Sequence, residues 1–319
     1  PPLASSSAAS DVYKRQNDYL SDLGAKICDP NTGQKCFWTA FKRLLNNKKI
    51  TNIPPLIENN KYIACFKEKA KIFNDYFALQ CRPLVSSSRL PQFRSRTNEN
   101  LTDIPIDQNK IIKIIHKLNS KKANGFDGIS IAMLKLCTKE VSLPLSIIFK
   151  SCITHGIFPA QWKQANVQPV HKKNSRQIKS NYRPISLLPI CGKIFEKIIF
   201  DHMYSFFVAN KLLSKNQSGF RPGDSTINQL LSITTEIFEA FESLDETRAV
   251  FLDISKAFDK VWHEGLCFKL KQNGINGNLL QLMSSFLTDR KQRVVLNGTS
   301  SEWESVLSGV PQGLSLIHI

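Results

Sequence analysis

Acidic side chains are scarce in this chain: 26 Asp and Glu stand against 43 Lys and Arg over 319 residues, a formal net charge of +17. Such an excess calls for a polyanionic partner, either nucleic acid or an anionic membrane. Long apolar runs are missing as well. None approaches the ~18 to 20 residues that cross a bilayer, so nucleic acid is the expected partner and no membrane is. Cysteine occurs at 28, 36, 65, 81, 137, 152, 191 and 267, never as C-x-x-C and never with His at zinc-ligand spacing. That removes the usual zinc modules and leaves reduced thiols, as expected of an intracellular protein. There is no G-x-G-x-x-G, no P-loop and no internal repeat, so dinucleotide folds, P-loop chemistry and solenoids have no support. The histidines are scattered, and the spacing gives neither His171 nor His263 a catalytic role.

What is present reads as helices followed by hairpins. Ile63, Phe66, Ala70, Phe73 and Phe77 recur every three or four residues, one apolar face of a helix. Residues 84 to 107, rich in Ser, Arg, Asn and Pro, read as a linker. Asp107 then offers an N-cap to a helix lined by Ile111, Ile115 and Leu118. From Trp162 the pattern alternates: Ala165–Val170 reads as a strand, and Arg183–Leu188 can return beside it. Their connection, with His171, Lys172, Lys173, Arg176, Lys179 and Arg183, puts cations at the tip. Lys193–Phe207 reads as a helix, and Ser225 or Thr226 caps another through about Leu244, with Leu230, Ile233, Ile237 and Phe241 facing inward. Gln292–Leu296 followed by Asn297-Gly298 signals a hairpin whose second arm is Glu302–Leu307.

Between the last helix and that hairpin lies Arg248-Ala-Val-Phe-Leu-Asp253-Ile-Ser-Lys-Ala-Phe258-Asp259. Ala249–Leu252 suits a strand buried on both faces, although a short buried helix has the same pattern. An ionised Asp253 at the rim of an apolar layer needs a cation, and Mg²⁺ with oxygen ligands is a natural one. Taken alone, Asp253 equally suits a turn or a helix cap. The hairpin leads into Gly309-Val-Pro311-Gln312-Gly313.

D-x-x-x-A-F-D, a hairpin, then G-V-P-Q-G is the order of the first two palm motifs in reverse transcriptases of non-LTR (LINE-like) retrotransposons, and the sequence resembles that family. Further segments are similar in family order. They are Ile72–Phe77 in the connection to the endonuclease, Lys121–Ile129 as the opening motif, Asn181–Leu188 with Gly192–Ile198, and Gln217–Pro222 with Ser225-Thr226. The resemblance implies an α+β, right-hand polymerase fold, with fingers, an incomplete palm and a helical N-terminal extension. It also implies an RNA-directed DNA polymerase that adds deoxynucleoside triphosphates to a DNA primer on an RNA template, using two Mg²⁺ ions. By the same resemblance Asp253 is the catalytic carboxylate and a metal ligand, joined by the backbone carbonyl of Ile254. Phe258 is the gate against a ribose 2′-hydroxyl, and Gln312 and Gly313 lie at the nucleotide's sugar and the template base. Arg183 and Arg221 bind the triphosphate, and Lys172, Lys173 and Arg176 bind nucleic-acid phosphates. Asp259 is left as a structural carboxylate.

The sequence also departs from the family. No Asp-Asp dipeptide occurs in it, whereas the family's remaining metal carboxylates form such a pair beyond the Pro-Gln-Gly loop. These residues by themselves are therefore expected not to polymerise. Residues 1–16 resemble linker or adaptor sequence, and Leu314–Ile319 leave the family pattern. The expected organisation is a helical connecting region and linker over 17–106, then a truncated reverse transcriptase domain over 107–319 with its core motifs at about 162–313. An alternative function is a non-catalytic nucleic-acid-binding remnant, whose affinity falls with salt but does not respond to metal.

Overall fold

The computed structural model describes residues 53–82 and 94–312, with scattered positions between 18 and 41 and at 90 and 92. Residues 1–16, Gly313 and Leu314–Ile319 lie outside the described residues. By contacts the chain divides into Pro1–Asn52 and Ile53–Ile319, and the motifs from Ile72 onward fall in the second unit.

That unit is α+β. It opens with a two-stranded ribbon, β1 (Leu56–Glu58) against β2 (Lys61–Ile63), turned by Asn59 and Asn60 in the left-handed region. α1 (Phe66–Gln80) follows and buries Ala70, Phe73 and Phe77. Ile63, expected on the same helical face, belongs instead to β2, and Phe66 opens the helix 37 % exposed. A three-to-four spacing that runs across a strand–helix junction looks like one helix in sequence.

The second half of the expected linker is docked. The Arg96 and Leu101 amides donate to the carbonyls of Gln272 (2.9 Å) and Gly274 (2.8 Å), and Ile104 is buried. Its polar composition hides this role, since it is backbone groups that pair there. α2 (Gln108–Lys117) is capped as expected, with the Asp107 carboxylate accepting from the Asn109 amide at 2.9 Å. α3 (Ile131–Leu136) and α4 (Thr138–His155) lead to the sheet.

Both expected hairpins are present. β3 (Gln164–His171) pairs antiparallel with β4 (Tyr182–Leu187), Gln168 opposite Ile185. After the helices α5 (Ile190–Ala209), α6 (Thr226–Glu242), α7 (His263–Gln272) and α8 (Gly277–Leu287), β5 (Arg290–Leu296) joins β3 in parallel. The second arm comes in two pieces, β6 (Thr299–Ser300) and β7 (Glu304–Val306), both antiparallel to β5. Asn297 and Gly298 at the turn have φ of 48° and 86°, the double positive that a type I′ turn requires. α1 lies across β5, β6 and β7. Its Phe73 and Phe77 share a core with Leu56, Val167, Tyr182, Val294 and Leu296.

A larger helical core sits around α5. Phe195 stacks on Phe149 with centroids 4.7 Å apart, and Phe158 meets Phe286 edge-on at 5.1 Å. Ile111, Ile115, Ile194, Ile198, Leu279 and Leu282 fill the rest.

Two expectations of burial are not met. Ala249–Leu252 forms no strand, and Phe251 and Leu252 are 88 % and 91 % exposed. A buried strand needs neighbours on both edges, and no described strand pairs with this segment. α6 forms where expected, with the Ser225 hydroxyl accepting from the Asn228 amide, but it buries no residue. Leu230, Ile233 and Phe241 stand exposed because no described element packs on them. An apolar stripe specifies a helical face but not what covers it.

Phe195→Ala is expected to lower the stability of the 319-residue chain by about 3–5 kcal/mol in urea unfolding. Phe238→Ala, on α6 and 60 % exposed, is expected to change it by no more than about 0.5 kcal/mol.

Candidate active site

The segment Phe258–His263 and the loop Ser308–Gln312 are clasped together. The Val310 amide donates to the Phe258 carbonyl (2.8 Å), the Ser308 hydroxyl to the Asp259 carbonyl (3.0 Å) and the Gly309 amide to the Val261 carbonyl (2.8 Å). His263 Nε2 donates to the Gly309 carbonyl at 2.7 Å, and Gln312 Nε2 to Asp259 Oδ1 at 2.7 Å. Only glycine fits at 309: its φ is +83°, and a Cβ there would stand 2.6 Å from the Phe258 carbonyl oxygen. A third segment closes the arrangement, because the Ser186 amide of β4 donates to the Gln312 carbonyl at 2.7 Å. The D-x-x-x-A-F-D, G-V-P-Q-G and R-P-I-S segments, far apart in sequence, thus meet at Gln312.

Beneath them is a pocket of about 30 Å³ lined by Phe77, Ala165, Ser186, Asp259, Arg290 and Gln312 among others. Burial pushes the Asp259 carboxyl above its ordinary range, while the Gln312 hydrogen bond and the Lys256 charge oppose that. Burial and the Asp259 charge push the neighbouring Cys81 thiol up to about 12, which leaves it unreactive. Lys256 Nζ donates to the Tyr76 hydroxyl at 2.8 Å and lies over its ring, tying α1 to the same segment.

The Phe258 ring, half-buried, meets Phe220 edge-on with centroids 6.2 Å apart. Next to Phe220, Arg221 Nη1 donates to the Ser214 carbonyl at 3.0 Å. Phe220 and Arg221 border a cavity of about 1210 Å³ that Lys117, Lys122, Lys193 and Lys197 also line. On the β3–β4 connection Lys172, Lys173 and Arg176 are exposed, as is Arg183 on β4 opposite Val170. Polar locks shape that turn. Tyr182 donates to the Arg176 carbonyl (2.6 Å) and Asn181 Nδ2 to the Ser175 carbonyl (2.8 Å), leaving the cations free to face solvent.

Residues 170–316 match the family model described as reverse transcriptase (RNA-dependent DNA polymerase). The probable RNA-directed DNA polymerase from transposon X-element of Drosophila melanogaster is 31 % identical over 284 residues, 86 % of this chain and 31 % of that protein. The RNA-directed DNA polymerase from mobile element jockey of the same organism is 36 % identical over 206 residues, 64 % of this chain and 22 % of that protein. The chain belongs to the LINE-like reverse transcriptases of non-LTR retrotransposons. It spans under a third of the length of these curated relatives.

In this member of the family the structure unites only some of the residues singled out from sequence. Phe258, Gln312 and the Phe220-Arg221 loop come together, whereas Asp253 and Ile254 lie exposed in the segment 248–254, which has no secondary structure. Among the described residues no three His, Cys, Asp or Glu side chains converge to hold a metal ion. Asp253 brings one carboxylate, which does not make a two-metal site. Gly313 lies outside the described residues. Ser186 lies in a motif and His263 has no catalytic role by its spacing, but that these two and Ser308 hold the clasp is not visible in sequence, because each contact is made to or by a backbone group.

One buried ionic feature also lies off the motifs. Glu196 of α5 and Arg290 of β5 are buried, and Glu196 Oε1 and Arg290 Nη2 lack hydrogen-bond partners among the described residues. Burial pushes the Glu196 carboxyl from an ordinary 4.5 to about 7, against the attraction of Arg290 and Lys193. Arg290, pushed down to about 10 by the same cause, stays charged at neutral pH. Between pH 4.5 and about 7 the native chain therefore holds a proton on Glu196 that the unfolded chain has released. That contribution to stability is complete below pH 4.5 and disappears as the pH rises through about 7. Relative to Glu196→Gln, the wild-type chain is expected to lose stability from pH 4.5 to 8, as measured by urea midpoints; parallel profiles would contradict this.

Proposed function

We propose that this chain forms the fingers and the first part of the palm of an RNA-directed DNA polymerase of a non-LTR retrotransposon. The supporting observation is the clasp, which brings Phe258 and Gln312 to one place beside β4. The substrates are an RNA template, a DNA primer and deoxynucleoside triphosphates, and the reaction is in-line attack of the primer 3′-hydroxyl on the α-phosphorus. The domain assignment follows the sequence: a connecting region over 17–106 and polymerase over 107–319.

The roles are those the family resemblance implies, and the chemistry and exposure of the residues support them. Phe258 presents a ring where the sugar would lie, and a ring excludes a 2′-hydroxyl by bulk alone. Gln312, on the loop clasped to the segment of Phe258, is assigned to the same sugar and to the template base. Arg183 and Arg221 offer guanidinium groups to the triphosphate, and the exposed Lys172, Lys173 and Arg176 offer charge to template phosphates. In the complete enzyme two Mg²⁺ ions would neutralise the reacting phosphate. Asp253 and the Ile254 carbonyl are assigned as part of their ligand set.

In the full-length polymerase that carries this chain, Asp253→Ala is expected to abolish primer extension on an RNA template. Phe258→Ala is expected to weaken the preference for deoxy- over ribonucleotides by about ten- to a hundredfold. Extension that survives Asp253→Ala removes the assignment. Binding of RNA that weakens steeply with salt, without extension at any Mg²⁺ concentration, favours the non-catalytic remnant.

A further inference from the structure

We propose that Asp259 is a positioning residue for the incoming nucleotide's sugar: its carboxylate orients the Gln312 amide and so sets the gap between Gln312 and the Phe258 ring. The proposal rests on the polymerase reading above and goes beyond it, since that reading needs Asp259 only as a structural carboxylate.

The geometry is specific. An ionised carboxylate can only accept hydrogen bonds, so at 2.7 Å it faces the NH₂ end of the Gln312 amide. It thereby selects one of the two orientations that a free amide would sample and turns Oε1 away from itself. A freely rotating glutamine would have to be ordered by the substrate, and that ordering would appear as weaker nucleotide binding.

The rest of the clasp couples this contact to Phe258. The carbonyl of Phe258 is held by the Val310 amide, and that of Asp259 by the Ser308 hydroxyl. The backbone that carries the Phe258 ring is therefore fixed to the loop that carries Gln312, and the Asp259 side chain sets the last free torsions on the Gln312 side. Phe220 closes the other side of the ring.

A cheaper latch was open to the fold. Asp259 is only 8 % exposed, and burying a carboxylate costs more than burying a neutral side chain that could still accept one hydrogen bond. The Lys256 ammonium, drawn towards the Tyr76 hydroxyl, supplies a compensating charge nearby. What the carboxylate adds over a neutral acceptor of similar size is its one-way demand for the donor end of the amide.

Single-nucleotide incorporation by the full-length polymerase tests the proposal through KM, kcat and the deoxy-over-ribo ratio. Asp259→Ala is expected to raise the deoxynucleotide KM about tenfold, to change kcat less, and to lower the deoxy-over-ribo ratio by a similar factor. Asp259→Glu, which keeps the charge but pushes the amide away by one methylene, is expected to shift both in the same direction, and it decides the matter should Asp259→Ala fail to fold. Asp259→Asn, which offers a donor as well as an acceptor and so no longer dictates the amide's orientation, is expected to shift both in the same direction as Asp259→Ala by a smaller factor. Ile153→Val, in the helical core on α4 and outside the clasp, is expected to lower stability while leaving KM and the ratio unchanged. An unchanged KM and ratio in every folded Asp259 variant overturns the proposal, as does a shift in Ile153→Val equal to that in Asp259→Ala. Asp253→Ala run in parallel separates the two readings. If it stays active, the assignment of the active site on which the proposal rests fails; if it is inactive while the Asp259 variants are silent, only the positioning role does.

Discussion

The clasp between the carbonyls of Phe258, Asp259 and Val261 and the donors of Ser308, Gly309 and Val310 is the contact on which the site depends. Each such hydrogen bond contributes only about 1 kcal/mol net. The long stretch of chain between the two partners would be costly to close if it were loose. It is not loose, because α7, α8 and β5 lie within it and Leu279, Leu282 and Phe286 bury against the large core around Phe195. The hydrophobic core thus supplies the free energy that holds the ends together, and the clasp converts it into a defined position for Phe258 and Gln312. Gly309 is the point of least tolerance, because only a residue without Cβ lets the two backbones approach so closely.

Legibility in the sequence followed the range of the interaction. The β3–β4 and β5–β7 hairpins were readable from alternation and from Asn297-Gly298, and the Asp107 cap from its place before a periodic run, since each depends on residues close in sequence. Ala249–Leu252 was misread because an apolar run states what a segment prefers, not whether a neighbour is there to bury it. The stripe on α6 failed in the same way. The docking of residues 94–106 was hidden by polar composition, because backbone groups make its contacts.

The site divides along the same line. Phe258 and Gln312 could be named from their motifs, but the partners that fix them could not. Ser186, Ser308 and His263 act on carbonyl or amide groups, which every residue possesses. Tyr76 of α1 reaches Lys256, so a helix that looked like simple packing also steadies the motif that carries Asp253. The exposed cations on the β3–β4 turn are part of the charge excess of the whole chain.

Backbone amide exchange in the 319-residue chain tests the clasp most directly. If it is formed as described, the amides of Gly309, Val310 and Ser186 exchange at least about a hundredfold more slowly than in an open loop, and Asp259→Ala speeds up Ser186 along with the loop. Exchange of Gly309 and Val310 at open-loop rates, while the β3 amides stay protected, would contradict the account.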